Sequence, residues 1–142
     1  MRYSPEEIIT KKILILDGAM GTMIQKHKLK EEDYRGTLFR DHLLPLKGNN
    51  DILNITRPDI IRKIHFDYLE AGADIITTNT FNANSISQAD YGMGDQVYRM
   101  NYEAARIALE SVIAFEQAAE AREHFIAGSI GPTNRTASMS AD

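Results

Sequence analysis

Ile13-Leu14-Ile15-Leu16-Asp17-Gly18-Ala19-Met20-Gly21-Thr22 decides the fold. Four apolar residues run together and are then broken by Asp17-Gly18. So short a run fits a strand buried on both faces, the pattern parallel sheets produce. Gly18 and Gly21 bracket a tight turn at the strand's C-terminal end, which feeds a short helix through Met23 and Gln25. Upstream, Ser4-Pro5-Glu6-Glu7 reads as a helix start. Ser4 is the N-cap, Pro5 takes the first helical position and Glu7 completes a capping box.

Downstream the same alternation repeats. Ile60, Ile61, Ile64, Tyr68 and Leu69 recur at helical spacing, with Thr56 as cap, Pro58 in the first turn and Gly72 as terminator. Asp74 to Phe81 is rich in β-branched residues and reads as the second strand. A polar connection, Asn82 to Gly94, has room for a helical turn around Ser85 to Ala89. Gln96 to Ala121 is the longest helical pattern, its stripe being Val97, Met100, Ala104, Ile107, Ala108 and Val112. Phe125 to Ile130 reads as the third strand and Gly131-Pro132-Thr133 as a turn, while Asn134 to Asp142 carries no packing signal. Lys26 to Arg57 reads as a long irregular connection with one helical turn near Glu31 to Tyr34. Helices alternating with strands predict an α/β fold with a parallel sheet. The chain ends just after a strand, so it is expected to be the front part of something larger.

Composition narrows the function. The 142 residues carry 16 Lys+Arg against 20 Asp+Glu, a formal net charge of −4. No basic excess exists to neutralise a phosphate backbone, so nucleic acid is not an expected partner. The absence of cysteine excludes a disulfide framework, a thiol nucleophile and thiolate-bound zinc within these residues. No apolar stretch approaches the roughly 18 residues of a membrane helix, and the start is too acidic and polar for a secretory signal. A soluble, cytoplasmic chain is expected.

In α/β folds ligands sit beyond the C-terminal strand ends. Asp17 is placed there. Its carboxylate can hold an ammonium group, and the N–H groups beside Gly18 can meet a carboxylate, a pairing suited to a zwitterionic amino acid. Asp17-Gly18 is equally readable as a plain turn. Thr78, Asn79 and Thr80 cluster polar atoms at the second strand end. They read either as a pocket lining or as ordinary strand threonines with a capping Asn. His27, His42, His65 and His124 have no ligand-like spacing and are expected at surface or half-buried positions. Gly128-Ser129-Ile130-Gly131 lacks the spacing and the Lys of a P-loop.

Six segments in order carry a resemblance: 15–25, Leu46-Lys47-Gly48-Asn49-Asn50-Asp51-Ile52-Leu53, 71–76, Thr78-Asn79-Thr80-Phe81, Gln88-Ala89-Asp90-Tyr91-Gly92 and 127–134. Together they resemble the N-terminal homocysteine-binding domain of cobalamin-dependent methionine synthases. The resemblance implies that residues 1–142 are the first three βα units of a (β/α)8 TIM barrel, incomplete in this chain, since a whole barrel takes roughly 250 residues. It implies a methyltransferase in which zinc-activated homocysteine takes a methyl group from methylcobalamin, itself recharged from methyltetrahydrofolate in other domains. Carried over by position, Asp17 holds the homocysteine amino group, the backbone of Gly18 and Ala19 meets its carboxylate, and Thr78 and Asn79 line the pocket.

The family's zinc ligands are cysteines from later strands, and this chain has none. No catalytic or metal residue is therefore assigned here. Zinc and cobalamin are implied for the full-length enzyme and not for this chain alone. Expected partners are homocysteine, the remaining barrel strands and the folate and cobalamin domains, with no nucleic acid and no membrane. Alone, the chain is expected to be inactive and, with open sheet edges, to self-associate. Two rival readings are a non-enzymatic α/β module that binds an amino acid and a self-associating structural fragment.

Overall fold

The computed structural model describes residues 4–118 and 123–135. The first helix, α1 (Pro5–Ile9), starts as its sequence dictates. Ser4 Oγ accepts from Glu7 N at 3.3 Å, and Glu7 Oε2 accepts from Ser4 N at 2.8 Å. The reciprocal box satisfies two amides that a helix start leaves open.

Residues 13–17 then run extended. Leu16 bridges Ile75 in parallel, and Asp17 N donates to Ile75 O at 2.9 Å. The expectation of a strand buried on both faces fails here. Ile13 is 89% exposed, Ile15 57% and Leu16 56%. The described partner of this segment is β1 (Ile75–Thr77), so only one edge is occupied. On its other side β1 pairs in parallel with β2 (Phe125–Ala127), with Ile75 opposite Phe125 and Thr77 opposite Ala127. Three extended segments thus lie side by side in parallel, each joined to the next through helices, as the alternation predicts.

Both strands are shorter than the sequence suggests. Thr78 N still donates to Ala127 O at 3.0 Å, but Thr80 N then turns back to Thr78 O at 2.9 Å. That turn ends the ladder and moves the polar residues of 78–80 out of the sheet.

The connection from Lys26 to Arg57 is more ordered than expected. It follows α2 (Met20–Gln25) and holds α3 (Glu31–Arg35), a 3-10 turn (Asn50–Ile52) and α4 (Leu53–Thr56). Arg35 Nη1 donates to His42 O at 2.6 Å, and its Nη2 to Leu44 O at 3.0 Å. Glu31 accepts from Leu46 N and Lys47 N, both at 2.8 Å. These bonds fold the loop so that Tyr34, Leu46, Ile52 and Leu53 enter the main core. Thr56 does not cap the next helix. Its hydroxyl donates to Ile52 O at 3.3 Å, closing α4 instead. Helix α5 (Pro58–Glu70) follows Arg57 with Pro58 at its first position, and Gly72, at φ +102°, lets the chain reverse after it.

Asn84 caps α6 (Ser85–Ala89) through Oδ1, which accepts from Ser87 N at 2.9 Å. The long helix α7 (Val97–Ala118) packs Met100 and Ile107 into the core shared with Ile60, Ile61 and Ile64 of α5. A second cluster joins Leu69, Ile76, Ala108 and Val112 beneath the sheet. Residues 119–121 of the expected helix and 136–142 of the expected tail lie outside the described residues. Among the described residues no helix is long and apolar enough to cross a membrane.

The histidines divide. His27 is exposed and His42 half-buried, as expected, but His65 is 0% exposed and His124 is 8%. His65 falls on the core stripe of α5 one residue after Ile64, so the helical period and not its polarity sets its position.

Candidate functional site

At the C-terminal ends of the parallel segments lies a cleft of about 290 Å³, lined by Gly18–Gly21, Thr77–Phe81 and Ser129. Of the residues the sequence singled out, Gly18, Ala19, Thr78 and Asn79 form its walls. Asp17 is not itself a wall residue; half-buried, it lies behind the wall, next to Gly18 in the chain and beside Thr77 across the sheet. Its carboxylate is held by one residue of the neighbouring strand. Thr77 N donates to Asp17 Oδ2 at 2.8 Å, and Thr77 Oγ1 lies 3.0 Å from Oδ1 and 3.2 Å from Oδ2. Burial pushes the Asp17 carboxyl above its usual range, and the two Thr77 hydrogen bonds pull it back. Sequence reasoning named Asp17 but missed Thr77, which looks like any strand threonine until the register sets it beside Asp17.

The turn after Asp17 is clasped from α5. Tyr68 Oη donates to Ala19 O at 3.3 Å. Burial and the Asp17 charge both hold the Tyr68 phenol above its ordinary value. No described residue accepts from the amide N–H of Gly18, Ala19 or Met20, so these donors on cleft-lining residues are unbonded within the protein.

The opposite wall is a closed hydroxyl chain. Thr80 Oγ1 donates to Ser129 O at 2.7 Å. Because that carbonyl can only accept, the 2.7 Å contact between the two threonine hydroxyls has Thr78 as donor. Ser129 N donates in turn to Thr78 Oγ1 at 3.1 Å. The end of β1 is therefore stitched to the segment after β2.

Asn79 lines the cleft, but its amide protons are spent elsewhere. Asn79 Nδ2 donates to Asn50 O at 2.8 Å and to Asn54 Oδ1 at 3.2 Å, while Asn54 Nδ2 donates to Asn79 O at 2.7 Å. A second buried pair lies alongside, Asn49 Nδ2 to Gln88 Oε1 at 2.7 Å and Gln88 Nε2 back to Asn49 Oδ1 at 3.0 Å. Asp51 Oδ1 accepts from Asn82 N at 2.9 Å, and burial raises its pKa to about 6. The segment 49–54 thus braces the cleft loop 79–82 from behind. Asn54 and Asp51 were not singled out from sequence, because their partners are distant backbone groups.

Phe81 closes the cleft on the far side and is itself backed by Gly131. Gly131 N donates to Phe81 O at 3.0 Å, and a Cβ at Gly131 would lie 2.4 Å from that oxygen and 2.7 Å from the ring. Gly131→Ala is therefore expected to push the Phe81 wall aside and to cost about 2 kcal/mol, the usual scale of overpacking. Urea unfolding checks this, and an unchanged midpoint would refute it.

The described residues contain no group of three His, Asp or Glu side chains able to hold a metal, and the chain has no cysteine. These residues do not fit a zinc ion. The cleft walls carry the unbonded amides of Gly18, Ala19 and Met20 and the hydroxyl oxygens of Thr78 and Thr80, with the Asp17 carboxylate behind Thr77.

Comparison with known proteins gives the family and the fold. A family model described as homocysteine S-methyltransferase matches residues 14–142. Among solved structures, the chain is similar to the homocysteine methyltransferase MmuM from Escherichia coli. The metallated form aligns with a TM-score of 0.68 at 23% identity over 89% of this chain. The oxidised form aligns with a TM-score of 0.70 at 24% identity, also over 89%. The chain spans 40% of the length of either enzyme, and the likeness extends to the fold.

Proposed function

Because the chain belongs to the homocysteine S-methyltransferase family, we propose that its cleft is the start of a homocysteine site in a methyltransferase that makes methionine. The observation that carries this reading is the Asp17 carboxylate, bonded to the cleft-lining Thr77, next to the unbonded amide donors of the wall residues Gly18 and Ala19. An α-amino acid presents an ammonium and a carboxylate from one carbon, and the cleft offers one counter-group for each. The thiol side chain then points away from both, toward the Phe81 end.

The finer reading follows the sequence motifs. The chain forms the first βα units of a (β/α)8 barrel, and the methyl group comes from methylcobalamin, as in methionine synthases. Zinc activates the thiol in that family by keeping it deprotonated. The ligands for it are not among the described residues, so Asp17, Gly18, Ala19, Thr78 and Asn79 bind and orient substrate and do not carry out the transfer.

Homocysteine added to the 15N-labelled chain is expected to shift the amide signals of Gly18, Ala19 and the 77–80 segment. Asp17→Asn is expected to weaken that binding by about tenfold or more, the worth of one charge-assisted hydrogen bond. Equal affinity of Asp17→Asn and the unaltered chain would remove Asp17 from the site. An unresponsive spectrum of the unaltered chain would remove the reading itself.

A further inference from the structure

We propose that Thr77 is a positioning residue for the substrate amine, presenting the Asp17 carboxylate in one fixed orientation through paired backbone and hydroxyl hydrogen bonds. The inference rests on the reading that Asp17 receives the amino group. It adds the residue that makes Asp17 competent to do so.

The geometry is bidentate. Thr77 N reaches Oδ2 at 2.8 Å and Thr77 Oγ1 reaches Oδ1 at 3.0 Å, so one residue engages both carboxylate oxygens. Two donors from one rigid strand position leave the carboxylate no freedom to rotate about its terminal torsion. The strand supplies that rigidity. Thr77 is the last residue of β1 and is paired with Ala127, while Asp17 N is tied to Ile75 O at 2.9 Å two positions earlier. The side-chain period of two therefore sets Thr77 beside Asp17 as directly as it sets Ile75 beside the Asp17 backbone.

Lone-pair counting gives the consequence. A carboxylate has about four acceptor sites. Thr77 uses one on each oxygen, which leaves one on each for a ligand. A valine at 77 would keep the volume, the β-branch and the backbone donor but remove the hydroxyl. Asp17 Oδ1 would then lose its protein donor and the carboxylate would swing. Serine would keep the hydroxyl. Of the groups around Asp17, Tyr68 is the titratable neighbour, and it lies on the turn side and contacts Ala19 O, not the carboxylate.

The test compares two probes on the same chain: homocysteine, and 4-mercaptobutanoate, which has the thiol and the carboxylate but no amine. The unaltered chain is expected to prefer homocysteine. Thr77→Val is expected to weaken homocysteine by about tenfold while leaving 4-mercaptobutanoate unchanged, and Thr77→Ser to restore the preference. In the ligand-free chain, the 13C titration of the Asp17 carboxyl is expected to move up by about one pH unit in Thr77→Val and to stay in place in Thr77→Ser. If Thr77→Val weakens both probes equally, its role is structural and the proposal is overturned. An unmoved Asp17 titration in Thr77→Val overturns it as well. Failure of the underlying reading has a different signature: Asp17→Asn, or the unaltered chain itself, would show no preference for the amine.

Discussion

Asn54→Leu is expected to lower the stability of the chain by about 3 kcal/mol. Asn54 is 1% exposed, and its side chain donates to Asn79 O at 2.7 Å while accepting from Asn79 Nδ2 at 3.2 Å. Leucine fills the same space but meets neither need. Asn79 O, in a residue only 5% exposed, is left without that donor, and Asn79 Nδ2 keeps only Asn50 O. A buried polar group stripped of its partner costs roughly 1–3 kcal/mol, and two are affected here. The longer contact from Asn54 Nδ2 to Met100 O, 3.4 Å, adds little. Asn54→Asp is expected to be at least as harmful, because it sets a carboxylate against the carbonyls of Asn79 and Met100. Urea unfolding of both variants decides the matter. A loss below about 1 kcal/mol in Asn54→Leu would mean that water replaces the amide and that the brace behind the cleft is dispensable.

The second large effect is hidden in the unaltered protein, because two buried groups oppose each other. His65 is 0% exposed and neither ring nitrogen has a hydrogen-bond partner, and burial lowers its pKa to about 4. Unfolded, it titrates near 6.5. Between these values the unfolded chain binds a proton that the folded chain refuses. Stability is therefore full above about pH 6.5 and falls as the pH drops toward 4, by about 3 kcal/mol.

Asp51 behaves in the reverse sense. Its folded pKa of about 6 lies above an unfolded value near 3.9, so the folded chain binds the extra proton. That contribution is full below about pH 4 and is lost as the pH rises through 6, again by about 3 kcal/mol.

From pH 4 to 6 the two slopes cancel to a large extent. His65→Leu is expected to expose the Asp51 slope, so that this variant becomes more stable toward acid. Asp51→Asn is expected to expose the His65 slope, so that it becomes less stable toward acid. Urea midpoints of the three proteins at several pH values between 4 and 7 test both assignments at once. Parallel profiles would refute both.

These groups also show where sequence reading stops. The helices α1, α5 and α7 are legible because their signals are local: a Ser-Pro-Glu-Glu start and stripes of apolar residues, whereas α6 reads only as room for a helical turn and owes its start to the Asn84 cap. Helix α4 is not legible. Asn49 and Asp51, at the 3-10 turn before it, and Asn54, within it, read as loop because polar residues favour water unless a partner awaits them. Here the partners are Gln88, Asn82 N and Asn79 O, 25 to 39 residues away. The same holds for Thr77. Nothing within its own segment distinguishes it from Thr78, and only the parallel register across 60 residues gives it Asp17. Asp17 itself was legible, because an acidic residue followed by glycine after an apolar run marks a strand end. The apolar run Ile13 to Leu16 identified an extended segment correctly, but its expected burial depended on neighbours on both edges.

The hydroxyl chain Thr78–Thr80–Ser129 gives the cleft a polarity. The two threonine hydroxyl protons and the Ser129 amide are committed: Thr80 gives its own to Ser129 O, Thr78 gives its own to Thr80, and Ser129 N is spent on Thr78. What remains toward the cleft on Thr78 and Thr80 is one lone pair each, and lone pairs repel an anion. The lining residues Gly18, Ala19 and Met20 carry unbonded N–H groups. A molecule bearing opposite charges at its two ends is thus sorted on arrival, its anion drawn to one wall and turned away from the other. In the proposed reading the ammonium at Asp17 and the carboxylate at the amides fix two of the four directions of the α-carbon, and a side chain sent toward Phe81 fixes a third. On that proposal only one mirror image of the amino acid can meet all three, so the cleft is expected to distinguish left from right without touching the sulfur.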